Sequence, residues 1–167
     1  MSDLTLSIAP ECPEDAAAIE RLNERTFGPG RFARTAYRLR EGVAHDMSLS
    51  FVARVGTLLV GSNCMTPVAC GQSPAFLLGP LTVEPAFRSR GIGRALVEAS
   101  LDAARHAGHR LVLLVGDTAY YGRLGFERVP PGRLILPGPA DPARLLVCEL
   151  QPAAFAGVSG AIAAVRG

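Results

Sequence analysis

Arg88, Gly91 and Gly93 stand in the order Arg-x-x-Gly-x-Gly, with Ser89, Arg90 and Ile92 between them and Arg94 directly after. They follow a strand-like run that ends at Val83-Glu84-Pro85 and precede the strongest helical pattern in the chain. That order builds an anion cradle. A helix start leaves its first backbone N–H groups without intrahelical partners, and the macrodipole adds about half a positive charge there. Gly91 and Gly93 carry no Cβ, so a phosphate can come close to the backbone. Arg88, Arg90 and Arg94 add fixed positive charge around it. The chemistry implied is the binding of a phosphate-bearing ligand.

Two common phosphate loops do not fit. The dinucleotide fingerprint needs a further Gly or Ala five residues after its first Gly, and that place, counted from Gly91, holds Leu96. A P-loop needs a lysine to reach the terminal phosphates, yet all seventeen basic residues of this chain are Arg. A Walker-type nucleotide hydrolase is therefore excluded. A second segment carries chemistry of its own. Residues 111–126 read LVLLVGDTAYYGRLGF: an apolar run, Gly116-Asp117, a short helical stretch with Tyr120 and Tyr121, then Gly125-Phe126.

The first segment resembles the pyrophosphate-binding signature Gln/Arg-x-x-Gly-x-Gly/Ala of the GNAT superfamily of N-acetyltransferases. The second is similar to that superfamily's strand followed by Asn/Asp-x-x-Ala-x-x-x-Tyr-x-x-x-Gly-Phe, with shortened spacing here. The tyrosine four residues before Gly125 is Tyr121. The likeness spans roughly residues 4–150, is sharp over 77–126, and is greatest to the YhbS-like subgroup.

The resemblance implies an α/β fold of mixed α+β type: a twisted mixed sheet of about seven strands, splayed at a bulged strand and flanked by about four helices. It implies acetyl-CoA as cosubstrate, without a metal, and transfer of the acetyl group to a primary amine of a small molecule or peptide by direct attack in a ternary complex. Arg88, Ser89, Arg90, Gly91, Ile92, Gly93 and Arg94 would hold the pyrophosphate. Leu81, Thr82 and Val83 would pair with the pantetheine arm. A backbone N–H of Leu81 or Thr82 would face the developing oxyanion. Tyr121 would meet the sulfur and protonate the leaving thiolate, with Tyr120 its nearest rival. At adjacent helical positions only one of the two is expected to face the slot.

An alkylamine is neutral in only roughly one part in two thousand at pH 7, so a base or water relay is useful. Glu84, at the cradle end of its strand, and Glu24, His45, Asp46 and Asp117 are the candidates, each also readable as a surface or capping residue, and the residues do not choose among them. The arginine-rich stretch from Phe27 to Asp46, with Arg31, Arg34, Arg38, Arg40, Phe32 and Tyr37, suits a carboxylate-bearing acceptor or simply a solvated helix face. The alternative function is a non-catalytic acyl-CoA-binding or regulatory module.

Composition sets the outer bounds. At 167 residues the chain suits one domain. Residues 1–151 are read as the acyltransferase domain, with a tail over 152–167 that packs on it as a final strand or joins a partner chain in a homodimer. Apolar residues make up 49% and charged residues 19%, as in a globular protein. A net charge of +2 is too weak to argue for nucleic acid, and no such partner is expected. No apolar run reaches the roughly 20 residues of a membrane span, and the expected setting is cytoplasmic. Cys12, Cys64, Cys70 and Cys148 show no zinc spacing and read as free buried thiols. His106 and His109 read as helix-end residues.

The elements that must position these residues follow from periodicity. Leu4, Leu6 and Ile8 alternate as a strand. A helix starts at Pro13 and stops before Gly28, and another is expected over Phe32 to Arg40. Ser48–Arg54 and Thr57–Met65 form a hairpin. Ala75–Val83 is a strand whose Gly79-Pro80 predicts a bulge. Gly91 to Ala107 is a helix with an apolar face of Ile92, Ala95, Leu96, Ala99 and Ala103. Leu111–Val115 is a buried parallel strand, Thr118–Leu124 a short helix, and Phe126–Val129 and Leu145–Leu150 complete the sheet around a Pro/Gly-rich loop at 130–142.

Overall fold

The structure, a computed structural model, describes residues 5–28 and 35–165. The expected contributions of Leu4, Arg31, Phe32, Arg34 and the last two residues of the tail lie outside the described residues. Within them the chain runs β1 (Leu6–Pro10), α1 (Ala16–Phe27), α2 (Thr35–Arg40), β2 (Phe51–Val55), β3 (Leu58–Cys70), β4 (Ser73–Val83), α3 (Ile92–His106), β5 (Leu111–Val115), α4 (Thr118–Tyr121), β6 (Glu127–Arg128), β7 (Leu134–Ile135), β8 (Leu145–Glu149) and β9 (Gly160–Ala164). Seven strands lie in the order β1-β2-β3-β4-β5-β8-β6, and β9 joins the far end of β3 and pairs with β7. The sheet is mixed, because β4 and β5 are parallel while β1–β4 are antiparallel neighbours.

Nine strands among the described residues replace the seven or so expected, and one cause explains the surplus. Residues 66–70 pair with residues 73–77 of β4, so β3 continues to Cys70 instead of stopping at Met65, and its extension offers Val68, Ala69 and Cys70 as partners to Ala164, Ala163 and Ile162. Gly160 and Ala161 pair with Leu134 and Ile135, so the expected loop at 130–142 contains a strand. Both partners are distant in sequence, and a local pattern carries no trace of them. The tail also places Phe155, Val158 and Ile162 in the core of its own domain.

Two layers of side chains sandwich the sheet. On one face Leu39, Val68, Leu77, Leu113, Val147 and Phe155 pack together. On the other, α3 lies across Met65, Leu78, Val112, Leu114 and Leu146. The buried face of α3 is Ile92 and Leu96, as expected, with Val97, Ser100, Leu101 and Ala104, while the expected Ala95, Ala99 and Ala103 are only half-buried. Burying Val97 and Leu101 removes far more apolar area from water than burying Ala99 and Ala103, so the helix turns that way. Ser100 is tolerated because its Oγ accepts a hydrogen bond from Asn63 Nδ2 at 2.9 Å.

The bulge expected at Gly79-Pro80 is present. Asn63 pairs with Leu81 and Met65 with Leu78, so Gly79 and Pro80 together oppose the single residue Cys64. Beyond it the sheet opens. The β4–β5 ladder joins Phe76 and Leu77 to Val112 and Leu113 and goes no further. From Leu78 to Val83, β4 keeps its β3 neighbour and has parted from β5.

Candidate active site

The parted strand decides which backbone groups face the opening. Successive residues of a strand direct their N–H and C=O groups to opposite sides. The Glu84 N–H bonds the Val60 carbonyl of β3 at 2.7 Å. By parity Thr82 also faces β3, and Leu81 and Val83 turn their N–H and C=O groups into the opening. The Val83 carbonyl accepts from Arg88 Nε on that side at 3.4 Å. Of the two expected oxyanion donors, Leu81 therefore has its N–H in the opening. Thr82 does not; its hydroxyl, 1% exposed, donates to Asn23 Oδ1 on α1 at 2.6 Å.

At one end of the opening lies a hollow of about 330 Å³ at the start of α3, lined by Leu81, Thr82, Val83, Arg88, Ser89, Gly91, Ile92, Gly93 and Arg94. Gly91 caps the helix with φ 79°, a left-handed conformation that suits a residue without Cβ. Ser89 adopts φ 64° without being glycine. A Cβ on Gly93 would sit 2.8 Å from the Tyr120 hydroxyl, so the absent side chain is what admits that ring. All three expected arginines have local partners, Arg88 through the Val83 carbonyl. Arg94 pairs with Glu98 at 2.7 Å. Arg90 stacks its guanidinium 5.3 Å from the Phe87 ring centre and does not line the hollow.

At the other end lies a cleft of about 1050 Å³, and here distant parts of the chain converge. Leu81 and Tyr120 line both spaces; Tyr121 lines the cleft alone. The expectation that one tyrosine would face the slot is corrected: both do, with rings 4.9 Å apart and nearly perpendicular. The turn that holds them is set by Asp117, whose Oδ1 accepts the Ala119 N–H at 3.0 Å as the N-cap of α4. Burial pushes the Tyr121 phenol up to about 12, with Tyr120 adding to the rise and Arg144 opposing it. It stays protonated, and able to donate, throughout the neutral range.

The candidate bases separate cleanly. Asp46 accepts from the Ser48 N–H and hydroxyl at 2.9 and 2.6 Å and shapes the turn before β2. Glu84 pairs with Arg25 at 2.7 Å. Glu24 is exposed. None of these three lines the cleft, whereas His45 and Asp117 do. His45 Nε2 lies 2.6 Å from Glu11 Oε2, whose side chain is 5% exposed. Hydrogen bonds to Cys64 and to Glu11 push the imidazole up to about 10, against its burial. Tyr37 and Arg40 reach the cleft from α2, while Arg38 is exposed outside it.

Glu11 and Cys64 were not singled out by the sequence. Cys64 carries no spacing signal, and Glu11 stands 34 residues from the histidine it holds. The expectation of four buried thiols is also corrected. Cys70 and Cys148 are buried, Cys64 is half-buried at the cleft, and Cys12 is exposed. Among the described residues no group of His, Cys, Asp and Glu is arranged to hold a metal ion, and no helix is long and apolar enough to cross a membrane.

Residues 46–128 match a family model described as an acetyltransferase (GNAT) domain. The uncharacterized N-acetyltransferase YhbS of Escherichia coli K12 is 30% identical over 157 residues, 93% of this chain and 93% of that protein. The crystal structure of Escherichia coli YhbS in complex with CoA aligns with a TM-score of 0.83 at 29% identity, covering 99% of this chain and 92% of the other. A GNAT-family acetyltransferase from Brucella melitensis, in complex with acetyl-CoA, aligns with a TM-score of 0.64 at 29% identity over 91% of this chain and 99% of the other. With a relative at this identity along nearly its whole length, over the same splayed sheet, the chain belongs to the GNAT family of N-acetyltransferases.

Proposed function

We propose that the protein moves the acetyl group of acetyl-CoA to a primary amine of a small molecule or peptide by direct attack within a ternary complex. The observation that carries this reading is the parting of β4 from β5 beyond Leu77, which joins an anion cradle to a cleft along one strand. Arg88, Ser89, Gly91, Ile92, Gly93 and Arg94 take the pyrophosphate. Arg90 contributes charge at longer range. The outward groups of Leu81 and Val83 pair with the pantetheine amides, and Thr82 holds the strand to α1 through Asn23. The Leu81 N–H receives the thioester oxygen as it becomes an oxyanion. Tyr121 gives its proton to the departing thiolate.

The catalytic domain is residues 1–151, with 152–167 packed on it. Free thiols and an acetyl-CoA donor suit the cytoplasm. Measuring thiol release from acetyl-CoA against a panel of amines, beside calorimetry of acetyl-CoA binding, tests the reading. Amine-dependent release supports it. Tight binding with no turnover across the panel would leave an acyl-CoA-binding module, and no binding would remove both.

A further inference from the structure

The cleft holds a nucleophile that amine transfer does not use. Ser62, Cys64 and Thr66 alternate along β3 and all line the cleft, so they share one face of the strand. Cys64 stands opposite Gly79 and Pro80, the point at which β4 bulges away. Its sulfur therefore shares the cleft with Leu81 and Tyr121, the groups assigned to the thioester. His45 is brought beside it by the Asp46 N–H, which bonds the Met65 carbonyl at 2.9 Å, and is held by Glu11 at 2.6 Å. A thiol beside an imidazole that a buried carboxylate fixes in place is the arrangement in which a cysteine serves as a covalent nucleophile.

The other cysteines lack it. Cys12 lies outside the cleft, and its hydrogen bond to Asp15 is the first cause pushing its thiol up to about 11. Burial pushes Cys70 up to about 11 and also raises Cys148.

We propose that Cys64 is a second acyl acceptor: when no amine occupies the cleft, its sulfur takes the acetyl group from acetyl-CoA. The Cys64 Sγ–acetyl bond forms as the acetyl–sulfur bond of CoA breaks, and the Cys64 thiol proton ends on the CoA sulfur. The products are acetyl-Cys64 and CoA. One thioester replaces another, so no oxidant or reductant is consumed and excess CoA drives the step back. The acetylated thiol closes the amine site until it is discharged. The inference rests on the acetyl-CoA reading above.

The test incubates the full-length protein with acetyl-CoA and no amine, then maps acetylation by peptide mass spectrometry. One acetyl group on Cys64 is expected, removed by hydroxylamine and by excess CoA. It is absent from Cys64→Ser and forms roughly 100-fold more slowly in His45→Ala. The wild type, and not Cys64→Ser, should also exchange labelled CoA into the acetyl-CoA pool, a readout that does not depend on the His45 variant folding. Calorimetric binding of acetyl-CoA without acetyl-Cys64, acetylation confined to Cys12, or exchange undiminished in Cys64→Ser would each overturn this inference and leave amine transfer standing. Failure of acetyl-CoA to bind would remove both together.

Discussion

Apart from Thr26, Phe27 and Tyr120, every residue lining the hollow at the start of α3 comes from the single stretch between Leu81 and Arg94. The cleft on the other side of Leu81 and Tyr120 draws on residues from Glu11 to Arg144, supplied by α1, α2, α4, three strands and the loops between them. The hollow works through backbone: a helix start, two glycines and the outward edge of β4. The cleft works through side chains: a histidine–glutamate pair, a thiol, two phenols and arginines. Backbone recognition tolerates change in side chains but not in space. Side-chain recognition is the reverse, since each group depends on a partner brought from elsewhere.

The two regions should therefore fail differently. The largest effect is expected from Tyr121→Phe, which keeps the packing against Phe126 and removes the proton donor. At saturating acetyl-CoA, kcat should fall by roughly 100-fold, with the KM for acetyl-CoA little changed. A loss seen instead in Tyr120→Phe, measured beside it, would move the role to the tyrosine that lines both spaces. Next comes Gly93→Val, which puts branched carbon where the Tyr120 hydroxyl stands 2.8 Å from a Cβ. The expectation is a rise of about 10- to 100-fold in the KM for acetyl-CoA with kcat largely kept. A drop in kcat alone would mean that the hollow does not govern donor binding.

The cleft side is better tested through stability. His45→Gln leaves the Glu11 carboxylate buried without its ionic partner and should cost about 1–3 kcal/mol by denaturant melts. The pH dependence has a definite sign. The folded imidazole is raised to about 10, while the unfolded one titrates near 6.5. Its stabilisation is thus complete below about pH 6.5 and lost as pH rises through 10. The wild-type Tm should decline across that window, and His45→Gln should flatten the decline. An equal slope in both proteins would mean that the pair does not hold the cleft. The smallest effect is expected from Asp117→Ala, which removes the cap of α4 at a cost of about 1 kcal/mol. Its informative readout is kcat, which should fall with the placement of Tyr121 while donor KM stays put.

The same contrast explains what could be read ahead of the structure. The cradle was legible because Arg88 to Arg94 carry its whole pattern within one turn of loop and the first turn of a helix. The bulge at Gly79-Pro80 was legible because a proline inside a strand removes a ladder donor, wherever the strand's neighbours lie. The buried face of α3 was misplaced because alanine spacing fits two neighbouring faces, and only the sheet beneath prefers Val97 and Leu101. The strand at 134–135 went unread because its partner, β9, is distant in sequence, and the final strand at 160–164 stayed one of two readings because its own partners, β7 and the end of β3, are equally distant.

Short-range periodicity and turn chemistry thus suffice to mark the start of α3 as an anion cradle, since a helix start with glycines offers unpaired N–H groups to an anion. Glu11, His45 and Cys64 come together on strand and loop segments whose approach is set by the β1–β2–β3 pairing and by the packing of α1 on it. Their chemistry arises from proximity, which raises the imidazole against its burial and sets it beside the thiol, and that proximity exists only once the sheet has closed around them.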